Sequence, residues 1–156
     1  MTKAALTSVD IVIPFHDNDP MGIVWHGNYF KYFEMARDAL LERAGMPIPK
    51  MTEEGFGIPV IESHCKYRHA LFFMQRICVY AYVSEWENRL NFKFEVRDPE
   101  TNALLTTGYT LHAAYDLKQR ELLFEIPASL KEKLLATPPE PDPAALPRRK
   151  EVNHAD

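Results

Sequence analysis

An α+β fold, with one long helix near the front of the chain laid against an antiparallel sheet, is what this 156-residue sequence predicts. Three observations carry that expectation. Tyr29, Tyr32, Phe33, Ala36, Leu40 and Ala44 recur at three- and four-residue steps, which draws one apolar stripe along a helix. From residue 58 onward the chain is almost entirely in period-two segments, the repeat of half-buried strands. The links between those segments are short and rich in turn formers, so successive strands pair as antiparallel neighbours. A single helix cannot cover both faces and both edges of such a sheet, and this argues for pairing with a second copy of the chain.

In chain order, Val9, Ile11, Ile13 and Phe15 alternate with Asp10, Val12, Pro14 and His16, giving a first strand whose Pro14 marks an edge or a bulge. A polar loop, Asp17-Asn18-Asp19-Pro20, then leads past Gly22 to the helix. Asn28 is placed to cap the helix start by accepting from a first-turn N–H. Gly45 is a left-handed stop, with Pro47 just beyond it. Lys31, Glu34, Arg37, Asp38, Glu42 and Arg43 take much of the opposite face, which Phe30, Met35 and Leu41 leave only partly polar. Residues 46–57, with two prolines and two glycines, read as a connection. A long extended run follows at 58–69. Residues 76–85 are apolar on both faces, as in a central strand. Residues 89–97 put Leu90, Phe92, Phe94 and Val96 on one side. After the turn at Asp98–Asn102 comes another long strand, 103–115. A turn at 116–120 leads to Leu122, Phe124 and Ile126, and Pro127 opens a short last helix. Five prolines between Pro138 and Pro147 mark a change of composition. The expected organisation is a folded domain over 1–136 and a Pro-rich disordered tail over 137–156, which adds little to stability.

Composition bounds the function. The chain is 46% apolar and 26% charged, ordinary for a globular domain. Its net charge is −4 with cations scattered, which argues against a nucleic-acid surface. Cys65 and Cys78, the two cysteines, are too few for a disulfide scaffold and are expected as buried free thiols. No apolar run is long enough to span a bilayer or to serve as a signal peptide, so the expected setting is cytoplasmic and off the membrane. His64 and His69 fall on opposite faces of their strand, and with His112 isolated no metal set emerges. No glycine-flanked serine elbow and no phosphate-binding glycine loop is present.

The chemistry concentrates at the helix entrance. A carboxylate in a tight loop just ahead of a helix start sits beside N–H groups that have no intrahelical partner. A free aspartate is ionised at neutral pH. It can therefore act as a nucleophile or activate a water, while the helix amides donate to a developing oxyanion. A turn former before a proline is the bland alternative for Asp19. Asp17 is expected to stabilise the turn by bonding loop amides, and Gly22 to relieve crowding. Phe72-Phe73-Met74 is too apolar for an ordinary loop and faces either an apolar part of a ligand or a subunit partner.

The whole segment from Phe15 to Tyr29, FHDNDPMGIVWHGNY, resembles the motif of hotdog-fold acyl-CoA thioesterases of the 4-hydroxybenzoyl-CoA thioesterase type. The resemblance runs from about Val9 to Leu135. It implies a hotdog fold, in which a curved antiparallel sheet wraps one long helix, and a homodimer or homotetramer with sites between subunits. It also implies hydrolysis of an acyl-CoA, aromatic or of short to medium chain, to the free acid and coenzyme A. Asp19 then matches the catalytic carboxylate. His26 supports it, its backbone N–H polarising the thioester carbonyl and its imidazole assisting. Gly22, Val24, Trp25 and Tyr29 would contact substrate. Arg89 would meet the coenzyme A phosphates, with Lys66, Arg68 or Arg76 as alternatives. Coenzyme A is part of the substrate, and no cofactor or metal is implied. A non-catalytic acyl-CoA-binding protein on the same fold and an acyl-carrier-protein thioesterase stay open. Hotdog hydratases rely on a different Asp/His or His/Glu pattern, which this chain lacks.

Overall fold

The structure is a computed structural model that describes residues 3–140. Its strands are β1 (Ala4–Val12), β2 (Phe56–Gly57), β3 (Val60–Tyr67), β4 (Arg76–Glu85), β5 (Leu90–Arg97), β6 (Leu104–His112), β7 (Tyr115–Asp116) and β8 (Glu121–Leu122). The helices are α1 (Asn28–Arg43), α2 (Ile48–Glu53) and α3 (Ala128–Ala136), and a single 3-10 turn spans Phe15–Asp17. Five strands form one antiparallel sheet in the order β1-β4-β5-β6-β3, and β2, β7 and β8 make a small second one.

The expected stripe is the one that packs. Tyr29, Tyr32, Phe33, Ala36 and Leu40 are all buried, and α1 lies across β1 and β4. Phe33 stacks flat on Phe94 of β5, with centroids 4.6 Å apart and planes 6° from parallel. Gly108 of β6 makes that approach possible: a Cβ there would come 2.5 Å from the Phe33 ring and 2.7 Å from the His64 carbonyl. Leu41, expected on the outer side, is buried too, because Pro47, Ile48 and Pro49 at the start of α2 fold back to line a small cavity with it. The 46–57 connection thus holds a six-residue helix and a two-residue strand that its prolines and glycines hid.

The strands follow the period-two reading in their middles and depart from it at their ends; the first strand stops at Val12, and Phe15, expected as its last apolar residue, is exposed in the 3-10 turn. β1 begins at Ala4, because a bulge between Ala4 and Thr7, with Ala5 at φ 54°, breaks the alternation that would have shown it. The long run expected over 103–115 stops at His112, and Ala113 and Ala114 carry the chain into the second sheet as β7. β3 is an outer strand, exposed at every residue except the half-buried Cys65. Its free edge offers backbone N–H and C=O groups to another strand. β4, apolar on both faces, is interior as expected.

At the other outer strand, β1, the chain supplies its own cover. The Arg43 guanidinium donates to the Leu6 carbonyl, the Thr7 hydroxyl and the Pro138 carbonyl, and pairs with the Glu140 carboxylate. Glu140 N–H donates to Leu6 O at 2.8 Å, and its carboxylate accepts from Ser8 N–H at 3.1 Å. Of the stretch expected as a tail, Thr137 to Glu140 are therefore in contact with the domain, and residues 141–156 lie outside the described residues. No helix among the described residues is long and apolar enough to cross a membrane.

Candidate active site

The loop between β1 and α1 is built by local backbone bonds. Asn18 bridges Val24, Asp19 N–H donates to Ile23 O at 2.8 Å, and Gly22 N–H donates to Asp19 O at 3.0 Å. Asp19-Pro20-Met21-Gly22 is thus a closed turn. Gly22 sits at φ +79°, a left-handed conformation that an L side chain resists. Asp19 Oδ1 accepts from Met21 N–H at 2.8 Å. No hydrogen bond to Asp19 Oδ2 is present among the described residues. Asp19 both forms the turn and leaves one carboxylate oxygen open.

Asp17 behaves quite differently. It is 2% exposed, and its carboxylate accepts from Lys31 Nζ at 2.5 Å and from the Tyr32 hydroxyl at 2.6 Å. Burial alone would push this carboxyl up. The Lys31 and Tyr32 bonds and the Lys31 charge outweigh that and hold it below the usual carboxylate range. Burial and the Asp17 carboxylate push the Tyr32 hydroxyl upward in turn. Asp17 was expected to bond loop amides; instead its side chain is tied to α1, and its carbonyl takes Trp25 N–H (3.0 Å) and Asn28 Nδ2–H (2.9 Å). Asn28 was expected to cap α1 with its oxygen. It is the first residue of the helix, after Gly27, and serves as a donor to Asp17.

The turn into α1 is pinned on several sides. Val24 N–H donates to Leu71 O at 2.8 Å, and Asn28 N–H donates to Trp25 O at 2.9 Å. Trp25 is half exposed, and its ring lies over Gly27 so closely that a Cβ there would be 2.3 Å from it. The His26 imidazole is exposed, 5.0 Å from the Trp25 ring, and the His26 carbonyl accepts from the Tyr67 hydroxyl at 2.7 Å. Among the described residues, neither the His26 nor the Gly27 N–H donates to another backbone group. Two amides at the entrance of a sixteen-residue helix are therefore unspent, with the favourable end of the helix dipole behind them.

Of the residues expected to meet substrate, the structure gathers Asp19, Gly22, Val24, Trp25, His26 and Tyr29 in one short stretch. Val24 and Tyr29 are buried, so they shape the site from beneath. Burial pushes the Tyr29 hydroxyl up, despite its bond to the Leu71 backbone. Arg89 is not brought to them. Val12, next to the loop, pairs with Arg76 at one end of the ten-residue β4, whereas Arg89 lies beyond the Glu85 end, about 30 Å away at the usual rise per strand residue. Exposed cations at the Asp19 end of the protomer include Lys31, Arg76, and Lys66 and Arg68 on either side of Tyr67.

An apolar surface adjoins the loop. Phe15, Met21, Phe72, Phe73 and Met74 are exposed, with Phe15 and Phe73 edge to face at 5.3 Å. The 71–75 segment is joined to the loop through Ile13 N–H to Gln75 O and Met74 N–H to Ile13 O. Among the described residues no group of three or more His, Cys, Asp or Glu side chains is disposed to hold a metal. Sequence reasoning missed Lys31, Tyr32 and Tyr67 as parts of the site. Lys31 and Tyr32 were read only as helix faces, and Tyr67 is separated from His26 by 41 residues of chain.

One long helix cradled by a curved antiparallel sheet, with a half-open aspartate at the helix entrance, defines a hotdog-fold protein. Residues 13–134 match the family model for the Thioesterase-like superfamily, and the chain belongs to that superfamily. A "Putative esterase" of Aquifex aeolicus is 39% identical over 61 residues, covering 39% of this chain and 48% of that protein. A "Putative acyl-CoA thioesterase YneP" of Bacillus subtilis is 27% identical over 77 residues, covering 49% of this chain and 56% of that one. The match thus spans about half the length of each of these two relatives. A DHNA-CoA thioesterase from Staphylococcus aureus superposes with a TM-score of 0.71 at 25% identity, covering 76% of this chain and 80% of that one. The 4-hydroxybenzoyl-CoA thioesterase of Pseudomonas sp. strain CBS-3 shares the fold, with a TM-score of 0.71 at 22% identity, covering 83% of this chain and 99% of that one.

Proposed function

We propose that the chain is an acyl-CoA thioesterase, hydrolysing an aromatic or short- to medium-chain acyl-CoA to the acid and coenzyme A. The observation that carries this reading is the pairing of an open Asp19 carboxylate with unspent amides at His26 and Gly27, at the start of α1. In the reaction the thioester carbonyl oxygen accepts from the His26 N–H, which becomes a stronger partner as negative charge develops on that oxygen. Asp19 either attacks the carbonyl carbon, expelling the thiolate to leave a mixed anhydride that water opens, or removes a proton from the attacking water. With water adding at the substrate's acyl carbon, by either route it supplies the new acid oxygen, and the departing thiolate takes up the proton that this water gives up and leaves as the free thiol. The exposed Phe72, Phe73, Met74 and Met21 side chains suit an apolar acyl group.

The site as one protomer presents it is an open surface, and Arg89 can reach it only from a second subunit. The free β3 edge supports a homodimer, or a homotetramer built from dimers, in which the partner closes the acyl pocket and its Arg89 meets the coenzyme A phosphates. A cytoplasmic setting fits a coenzyme A substrate. The Met21 N–H bond to Asp19 favours a second reading, a non-catalytic acyl-CoA binder whose aspartate only shapes the turn. An acyl-carrier-protein thioester is the third candidate substrate. A panel of acyl-CoA and acyl-carrier-protein thioesters, followed by release of free thiol, decides among them. Turnover of at least one acyl-CoA is expected, and binding with no turnover across the panel would leave the binder.

A further inference from the structure

The two unspent amides belong to consecutive peptide groups, and each is aimed by the carbonyl of its own plane. A peptide unit is planar and trans, so its N–H points opposite to its C=O. The His26 N–H shares a plane with the Trp25 carbonyl, which is held by Asn28 N–H. The Gly27 N–H shares a plane with the His26 carbonyl, and the group that holds that carbonyl is the Tyr67 hydroxyl, 2.7 Å away. The first restraint is backbone to backbone. The second comes from a side chain on the outer strand β3, 41 residues further along the chain.

Resting on the thioesterase reading, we infer that Tyr67 is a positioning residue, which aims the Gly27 N–H as a second oxyanion donor beside that of His26. The Tyr67 ring is itself braced, edge to face on buried Tyr29 with centroids 4.6 Å apart, so the hydroxyl is delivered from a fixed base. Burial pushes the hydroxyl up to about 12, and it therefore stays a protonated donor through the neutral range. Donation into the His26 carbonyl also polarises that peptide group and strengthens its N–H as a donor. Trp25 lies over Gly27, so the peptide is backed by the outer edge of an indole that a Cβ there would have to displace.

The test is Tyr67→Phe, which keeps the ring on Tyr29 and removes only the hydroxyl. With the best acyl-CoA of the panel, kcat is expected to fall roughly 10-fold with KM within about twofold, since a misaimed oxyanion donor costs less than a deleted one. Amide hydrogen exchange, which needs no substrate, is expected to quicken over residues 24–28 and stay unchanged in β4 and β5. An active wild type with an unimpaired Phe variant would overturn the inference while leaving the thioesterase reading intact. A matching loss in kcat and melting temperature, with exchange quickened throughout the sheet, would also overturn it by showing a structural role alone. An inactive wild type would refute the thioesterase reading itself, and catalytic positioning with it.

Discussion

His112 gives the protein an acid-sensitive stability whose size can be worked out in advance. The ring is fully buried at the end of β6, with Nδ1 2.8 Å from Ile58 O and Nε2 2.9 Å from the Thr110 hydroxyl. A carbonyl only accepts, so Nδ1 carries the proton and Nε2 accepts from Thr110. Phe92 stands edge-on at 5.2 Å. Burial pushes the imidazole down to about 4; the Ile58 bond opposes this, and the Arg37 charge adds to it. A folded-state value below the unfolded one of about 6.5 means that the unfolded chain takes up a proton first as pH falls. The stabilisation is therefore complete above about 6.5, is lost progressively down to about 4, and changes no further below that. The full difference is about 3 kcal/mol, of which about 2 kcal/mol is lost between pH 7 and pH 5. Urea unfolding at both values measures it. His112→Gln keeps a donor for Ile58 O and an acceptor for Thr110 but cannot titrate, and it should lose about 2 kcal/mol less than the wild type over the same interval. Equal losses in the two proteins would refute the reasoning.

Three further outcomes follow from the packing. Gly108→Ala should destabilise by about 1–3 kcal/mol, because the new methyl meets the Phe33 ring and a backbone carbonyl that cannot step aside; chemical denaturation measures it. Gly27→Ala meets only the outer end of the half-exposed Trp25 ring, so the melting temperature should barely change while Trp25 fluorescence shifts as the ring swings away. Truncation after Ala136 removes the Pro138 and Glu140 bonds to Arg43, Leu6 and Ser8 and should cost about 1 kcal/mol. Thermal melts of the truncated and full-length chains measure it.

The sequence made the fold legible wherever one period ran unbroken. The α1 stripe and the Leu90–Val96 alternation translate directly into buried faces. It misled where local rules compete with distant partners. Asp17 has the sequence neighbourhood of a turn aspartate, yet Lys31 and Tyr32, one and a bit turns into α1, claim its carboxylate. Asn28 is a capping residue type that finds a better use as a donor to Asp17. The turn at Asp19 was legible because its partners lie within four residues, whereas the Tyr67 to His26 bond depends on how β3 crosses the helix entrance. Arg89 shows the other limit: spacing along the chain said nothing of its being at the far end of β4.

The central claim, that Asp19 does chemistry and Asp17 holds structure, is tested most directly by kinetics of matched asparagine variants on the best acyl-CoA. Asp19→Asn should fold like the wild type and lose roughly 100-fold or more in kcat with KM unchanged or lower, the size expected for removing a general base or nucleophile. Asp17→Asn should lose melting temperature as its bonds to Lys31 and Tyr32 weaken, with a smaller loss of rate. An Asp19→Asn protein that hydrolyses the thioester at the wild-type rate would contradict the account.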